Sequence, residues 1–320
     1  MDVLIIGAGI AGLTAGRELV KQGHEIRMLE KSRGLGGRAA TRRAHGNVVD
    51  HGAQYFTARN HSFKTQVELW LASGDASIWS RGFHTLSSQG LISAGEGHPR
   101  YIFPDGMNTI GKLLAAELDV KNEARASQIS PVQNGWRVGL EDGKSLEAER
   151  VIVNVPAEQA LVLFEDLGDV GEKLRSVEMT PCFSLLAGYA KDKAPSWRGV
   201  NIEMNSRLAW VAHDSSKRTE PKDTVLVLHS TPEFAREHYD DDPEEIKTML
   251  LESVQVLGAA YGDPLWTDTQ RWRYAMPSKP YGERILKYDK SLLFCGDWCG
   301  GAKIEAAYLS GLAAAQKLTE

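Results

Sequence analysis

The stretch Val3-Leu4-Ile5-Ile6-Gly7-Ala8-Gly9-Ile10-Ala11-Gly12 decides the fold. Val3 to Ile6 is a continuous apolar run, the pattern of a strand buried on both faces of a parallel sheet. Leu13 to Val20 reads as a helix ended by Gly23, and Glu25 to Glu30 alternates Ile26 and Met28 with polar residues before closing on a carboxylate. Strand, turn, helix and strand make a β-α-β unit. Its glycines fall as G-x-G-x-x-G between the first strand and the helix. Gly7 allows the tight turn, Gly9 lets a pyrophosphate approach the backbone, and Gly12 lets the helix lie close to the sheet. Ile10 and Ala11 open that helix, where free N–H groups and the dipole favour phosphate. Glu30 is placed to accept hydrogen bonds from the hydroxyls of an adenosine ribose. The segment predicts an adenine-dinucleotide site.

Working outward, 320 residues are enough for two domains. Hydrophobic residues at 42% and charged residues at 25% suit an ordinary soluble protein. The formal charge of −5 gives no reason to expect nucleic acid as a partner. Cys182, Cys295 and Cys299 are odd in number and imply no disulfide framework, which points to a reducing cytoplasm. No His, Cys and carboxylate cluster has ligand spacing, so no metal is expected. Met1-Asp2 enters the first strand without a basic leader, and no apolar run reaches the roughly 18 residues of a membrane span.

The pattern changes along the chain. Asn60 to Ala72 reads as a helix, and Met107, Ile110, Leu113 and Leu114 share one helical face after the turn Pro104-Asp105-Gly106. Asp142-Gly143 marks a hairpin between Trp136–Leu140 and Ser145–Ala148, and Val151 to Val155 is a further buried strand. Beyond it come longer alternating strands: 183–189, 208–214, 224–230 and 267–274. A helix capped by Asp242 with Pro243 at its first position lies between the last two. Leu292 to Cys295 is again a buried strand, and 304–318 an alanine-rich helix. The expected fold is α/β (α+β overall): a Rossmann-like dinucleotide domain of residues 1–58, 97–160 and 275–320, with an antiparallel-sheet substrate domain, 59–96 and 161–274, inserted into it.

After Glu30 the chain reads Lys31-Ser32-Arg33-Gly34-Leu35-Gly36-Gly37-Arg38. This resembles the flavin amine oxidase superfamily, in which a G-G-R loop follows the acidic residue. The resemblance implies FAD, with Arg38 meeting its pyrophosphate and Lys31 and Gly37 beside it. An arginine fork suits a diphosphate, and the glycines let it come close. Leu292-Leu293-Phe294-Cys295-Gly296-Asp297 is similar to the closing FAD segment of the superfamily. There the resemblance implies that Asp297 bonds to the ribityl or phosphate end of FAD. The helix starting near Ile304 would then point its positive end at the flavin N1–C2=O edge.

Asp50-His51-Gly52-Ala53-Gln54-Tyr55-Phe56, Pro104-Asp105-Gly106-Met107, Trp210-Val211-Ala212-His213-Asp214-Ser215-Ser216-Lys217, Arg271-Trp272-Arg273-Tyr274 and Gly296-Asp297-Trp298-Cys299-Gly300-Gly301 together resemble the renalase family in its bacterial form. That resemblance implies non-covalent FAD contacted also by Gly52, Ala53 and Gln54. It implies oxidation of 2- and 6-dihydronicotinamide isomers of NAD(P)H to NAD(P)+, by hydride transfer to flavin N5, with O2 reduced to H2O2. The partners would be a dinucleotide-like small molecule and O2; the oligomeric state is open.

The candidates for the substrate cavity are Gln54, Tyr55, Trp210, His213, Arg271, Arg273 and Tyr274. Alternation puts Gln270, Trp272 and Tyr274 on one strand face and Arg271 and Arg273 on the other, and it separates Trp210 from His213. Either face could line the cavity, an arginine there holding a phosphate, or the arginines could cover the sheet from outside. The alternatives are an amine oxidase, an FAD-dependent isomerase or mutase, and a flavin-binding protein without turnover. Gly300-Gly301-Ala302-Lys303-Ile304-Glu305 lacks the aromatic residue that true amine oxidases place near the start of the last helix.

Overall fold

The structure is a computed structural model that describes residues 1–93 and 95–320. Its first sheet has six strands in the order Ile285–Lys287, Leu292–Cys295, Arg150–Val153, Asp2–Ile6, Glu25–Leu29, Asp119–Lys121. All neighbours are parallel except the first pair. The central strand shows why its apolar run is unbroken. Val3 and Ile5 enter a core with the helices Ile10–Lys21 and Ile304–Thr319, while Leu4 and Ile6 enter a second core on the opposite face. That second core also takes the three-stranded sheet Ala126–Val132, Gly135–Leu140, Ser145–Ala148. The glycine turn lies at the C-terminal end of the central strand, where open α/β sheets bind ligands.

The second sheet has seven strands in the order Trp266–Lys279, Glu178–Tyr189, Thr224–Ser230, Leu208–His213, Gly199–Ile202, His84–Ser87, Gly90–Ile92. Alternation divides its faces. Phe183, Leu185, Leu226, Leu228 and Val211 pack on Ile246, Leu250 and Val254 of the helix Pro243–Val254. Leu186, Val227 and Ala212, on the other face, share a core with Val3, Ile5 and the first helix. The two sheets therefore meet through one face of the second, and that face is the wall of the site.

Two segments differ from the expected division. The helix His61–Ala72 buries Phe63, Val67 and Trp70 in the core of the first helix, and Gln66 Oε1 accepts a hydrogen bond from Arg17. The helix Asp169–Arg175 buries Val170 and Leu174 beneath the six-stranded sheet. Both share a core with elements of the dinucleotide fold, the first of them in a core that also takes Leu186, Ala212 and Val227 of the second sheet. The first and the last of the four long strands also extend further than expected, to Glu178–Tyr189 and Trp266–Lys279.

Candidate functional site

The cradle begins at Gly7. Its φ is +98°, and an added Cβ would stand 2.3 Å from the carbonyl oxygen of Asn154, so only glycine fits. At Gly12 a Cβ would stand 2.4 Å from the Gly7 oxygen, which fixes how closely helix and turn approach. Gly9 caps the first helix without a side-chain bond, leaving the opening N–H groups at Ile10 and Ala11 for a ligand. Glu30 is buried, and its carboxylate accepts from Ala8 N and Ser32 N, each at 2.8 Å. Carboxylate oxygens accept more than one bond each, so lone pairs remain for a ribose diol.

The basic loop after Glu30 folds onto this turn. Gly36 N donates to Ala8 O at 2.8 Å, and a Cβ on Gly37 would be 3.4 Å from Gly9 Cα. Arg38 then meets the far end of the chain: one Nη pairs with Asp297 Oδ1 and the other donates to Ala275 O at 2.9 Å. Gly52 lies against the Arg38 carbonyl, where a Cβ would be 2.0 Å away, and Ala53 N donates to that carbonyl at 2.9 Å. Gly296 N donates to Ser310 Oγ, and the helix opening at Ile304 has no side-chain cap. Lys31 sits at the exposed edge, donating to Gln159 Oε1 at 3.0 Å. A glycine-lined approach, two uncapped helix starts, an arginine fork and a carboxylate facing a ribose position together fit FAD.

The wall of the second sheet carries the polar groups. Ser184 pairs with both Gln270 and His229 on its neighbouring strands, and His229 pairs with Trp210, so four side chains form one row on the core-facing side. The Trp210 ring lies over Gly199, where a Cβ would be 2.3 Å from it. Its centroid is 6.0 Å from that of Tyr55 and 4.8 Å from that of Phe83. Beside the row, His51 stacks on Trp272 at 5.4 Å, and Trp272 Nε1 donates to His51 O at 2.9 Å. Burial, reinforced by Arg42, pushes the His51 imidazole down to about 4. Burial also takes His229 to about 4, with Lys217 and His51 adding repulsion. Both rings are therefore neutral at pH 7.

Other expected cavity residues lie elsewhere. Gln54 is buried and structural in its contacts: Nε2 donates to Asp50 O and Gly52 O, and Oε1 accepts from Lys217 at 3.0 Å. His213 faces the opposite side from Trp210, 6.4 Å from the Trp197 ring, and burial lowers its pKa. Arg271 and Arg273 are corrected most clearly. Arg271 donates to Tyr239 O and Asp241 O, and Arg273 is exposed over the Tyr239 ring at 4.5 Å. Strand alternation turns both away from the wall. Tyr274 sits in an irregularity where Trp272 pairs with Cys182 but Met276 with Thr180, so alternation does not set its face.

Sequence reasoning missed several groups the structure assembles. Lys217 Nζ, fully buried, reaches Asp214 Oδ1 at 2.8 Å, Gln54 Oε1 at 3.0 Å and Asp50 Oδ2 at 3.2 Å. Arg218 joins the same two carboxylates. Arg42, on the hairpin Thr41–Ala44 with Asn47–Asp50, donates to Gln270 Oε1 at 2.9 Å. Arg100 stands 5.9 Å from the Tyr55 ring and 5.8 Å from Phe83. Asp50, His51, Asp214 and Lys217 had a signal, each lying inside a quoted motif, whereas Arg42, Arg100 and Arg218 had none. Among the described residues, no group of three His, Cys, Asp or Glu could hold a metal, and no helix is long and apolar enough to cross a membrane.

Fold and cradle define a two-sheet dinucleotide-binding protein of the flavin oxidase type. Residues 5–67 match the NAD(P)-binding Rossmann-like domain and residues 76–319 the Flavin containing amine oxidoreductase family, so the chain belongs to that family. It is 28% identical over 235 residues to the Arabidopsis thaliana protein named Probable polyamine oxidase 4, covering 68% of this chain and 46% of that one. The chain thus spans about half the length of that relative. Putrescine oxidase bound to putrescine shares the fold at TM-score 0.77 and 16% identity, over 100% of this chain and 99% of that one. Cyclohexylamine oxidase from Brevibacterium oxydans does so at 0.74 and 14%, over 100% and 99%.

Proposed function

We propose that the protein is an FAD-dependent oxidase whose electron donor is a dihydronicotinamide dinucleotide in its 2- or 6-dihydro form, released as NAD(P)+. The observation that supports this donor is the charge of the wall. Asp50, Asp214 and Asp268, the carboxylates that approach it, each lie within 4.0 Å of an arginine or lysine nitrogen. His51 and His229 are neutral, Arg100 is half-buried beside the Tyr55 and Phe83 rings, and Arg42 is half-buried beside Gln270. An amine arrives as an ammonium ion and meets no uncompensated carboxylate among these groups; a diphosphate meets guanidinium, and a flat ring meets Tyr55, Trp210 and Trp272.

FAD, when bound, would supply the two-electron chemistry, as acceptor of the donor's hydride and reductant of O2. The chain holds and orients. Glu30, Arg38, Asp297 and the two helix starts hold the cofactor, and the aromatic wall excludes water and stacks the donor ring. No side chain has to accept a proton, because the donor carbon loses its hydrogen with the electron pair.

Amine oxidation is the second reading. It is favoured by the family and by the amine oxidases that share the fold, with Tyr55 and Trp210 as an aromatic pair. Anaerobic stopped-flow mixing tests both. Rapid bleaching of the flavin by 6-dihydro-NAD, with NAD+ as product and peroxide on readmitting air, is the expected result. Fast bleaching by putrescine or cyclohexylamine with the isomers inert would move the assignment to amines.

A further inference from the structure

Four aromatic rings meet at the Trp210 end of the wall. Phe83 is buried among them, its centroid 4.9 Å from that of Tyr55, 5.1 Å from Trp79 and 4.8 Å from Trp210. Trp79 is buried as well, whereas Tyr55 and Trp210 are half-buried and inclined to each other at 50°, a wedge with Phe83 as its floor. A local pairing brings Arg100 to this wedge. Phe56 and Tyr101 exchange backbone hydrogen bonds at 2.9 and 2.8 Å, which sets Arg100 beside Tyr55. The guanidinium lies 5.9 Å from the Tyr55 centroid and 5.8 Å from that of Phe83. One Nη donates to the His98 carbonyl, and no carboxylate among the described residues forms an ion pair with it. Lys217, 5.0 Å from the Trp79 ring, differs, because Asp50 and Asp214 offset its charge. Arginine stays protonated at any physiological pH, so the wedge carries one uncompensated positive charge close to its rings.

We infer that Arg100 makes this wedge select by ring charge, admitting an uncharged ring and disfavouring a cationic one. This rests on the dinucleotide reading above. The dihydronicotinamide ring of the donor is neutral. Loss of hydride to the flavin takes the electron pair with the hydrogen, so the product ring is a pyridinium with one positive charge. The ring thus acquires the wrong charge for its site once the reaction is complete. The same repulsion keeps ordinary NAD+ from competing with the donor. Unit charges about 8 Å apart change affinity about two- to thirtyfold, between the dielectric of water and that near a protein surface. Stacking alone works the other way, because Tyr and Trp faces attract cations. A wedge of rings without Arg100 would favour the product; with the guanidinium already on the Tyr55 and Phe83 rings, a fixed charge takes that place.

The test uses FAD-loaded protein and two ring probes that differ in charge and little in shape. Nicotinamide is neutral, and 1-methylnicotinamide carries the positive charge of the oxidised coenzyme. Each is titrated by the flavin difference spectrum at low ionic strength. Wild type and Arg100→Lys should bind the neutral probe about tenfold more tightly than the cation, and Arg100→Gln should bring the two within about twofold. The limiting rate at which 6-dihydro-NAD bleaches the flavin should not fall in Arg100→Gln, whereas a residue that merely held the fold would lower it. A wild type without the preference, or an Arg100→Gln variant that keeps it, would overturn the inference; if 6-dihydro-NAD still reduces the flavin, the donor assignment survives. Silence of both probes would also overturn it, since the wedge then takes no such ring. If the preference depends on Arg100 but 6-dihydro-NAD leaves the flavin oxidised, the donor assignment fails and the charge selection stands.

Discussion

Two buried polar groupings lie close together in this molecule and are built on opposite terms. In the first, Asp50 and Asp214 are matched by Lys217 and Arg218, and the remaining acceptor sites of Asp50 take Thr41 Oγ1 at 2.7 Å and Met107 N at 2.8 Å. In the second, Ser184 Oγ, His229 Nε2 and Trp210 Nε1 have no hydrogen-bond partner among the described residues. Asp50, Asp214 and Lys217 are fully buried, whereas His229 and Trp210 are half-buried with their unpaired polar atoms closed off. The difference lies in satisfaction: in the first the donors and acceptors balance and join parts of the fold, and in the second they do not balance. The balanced set joins the hairpin strand Asn47–Asp50 to the turn after Leu208–His213, and so connects the cradle to the second sheet.

Breaking the balanced set should produce the largest effect. Lys217→Met leaves two buried carboxylates sharing Arg218, and removing one partner of a buried pair costs about 3–5 kcal/mol. A fall in melting temperature of several degrees at pH 7 is expected, measured with FAD present. The pH dependence carries the sign. Burial works to raise the Asp50 pKa, but Lys217 and Arg218 outweigh it and hold the folded value below the ordinary one. The stabilisation is therefore present above about pH 4, the usual carboxylate value, and is lost as pH falls through the depressed folded value. The gap between wild type and variant should narrow on acidification; a gap that stays constant from pH 7 to pH 3 would show that Lys217 acts by packing alone.

The cradle should respond at an intermediate level. Arg38→Ala removes the fork and leaves Asp297 without its partner, so FAD should bind about ten- to a hundredfold more weakly, the range for bonds to charged groups. Fluorescence of released flavin measures this directly. An unchanged dissociation constant would mean that the Arg38–Asp297 pair holds the chain ends together without touching the diphosphate.

Legibility in the sequence followed the kind of constraint. The cradle is governed by local backbone geometry: Gly7 and Gly12 sit where a Cβ would collide, and that requirement is visible as spacing along a few residues. Glu30 and the buried strand at Leu292–Cys295 follow from the same short-range logic. The wall is governed by register across strands far apart in the chain, and no window of sequence shows that Ser184 lies beside His229 or that Arg42 reaches Gln270. Arg42 carries no local signal, because its partner Gln270 is 228 positions away. Alternation correctly divided Trp210 from His213 and Gln270 from Arg271. It could not say which face looks inward, since that depends on where Leu186 and Val227 find a core.

The smallest expected effects lie with the arginines, and they sharpen the comparison between engaged and available groups. Arg271 spends its guanidinium on the Tyr239 and Asp241 carbonyls, whereas Arg42 is held, among the described residues, by Gln270 and by Asp268 at 4.0 Å. Arg42 also sits close enough to His51 to depress its pKa. A phosphate-bearing donor that stacks on this wall passes Arg42 and not Arg271. Arg42→Ala should therefore raise the apparent Michaelis constant for 6-dihydro-NAD by about tenfold, one charge-assisted bond, with little change in the limiting bleaching rate, because the contact is made equally before and during reaction. Arg271→Ala should leave both constants within about twofold and change stability by no more than about 1 kcal/mol, through loss of its two carbonyl contacts. The reverse pattern, with Arg271→Ala raising the Michaelis constant and Arg42→Ala silent, would place the donor on the outer face of the edge strand and remove the wall from recognition.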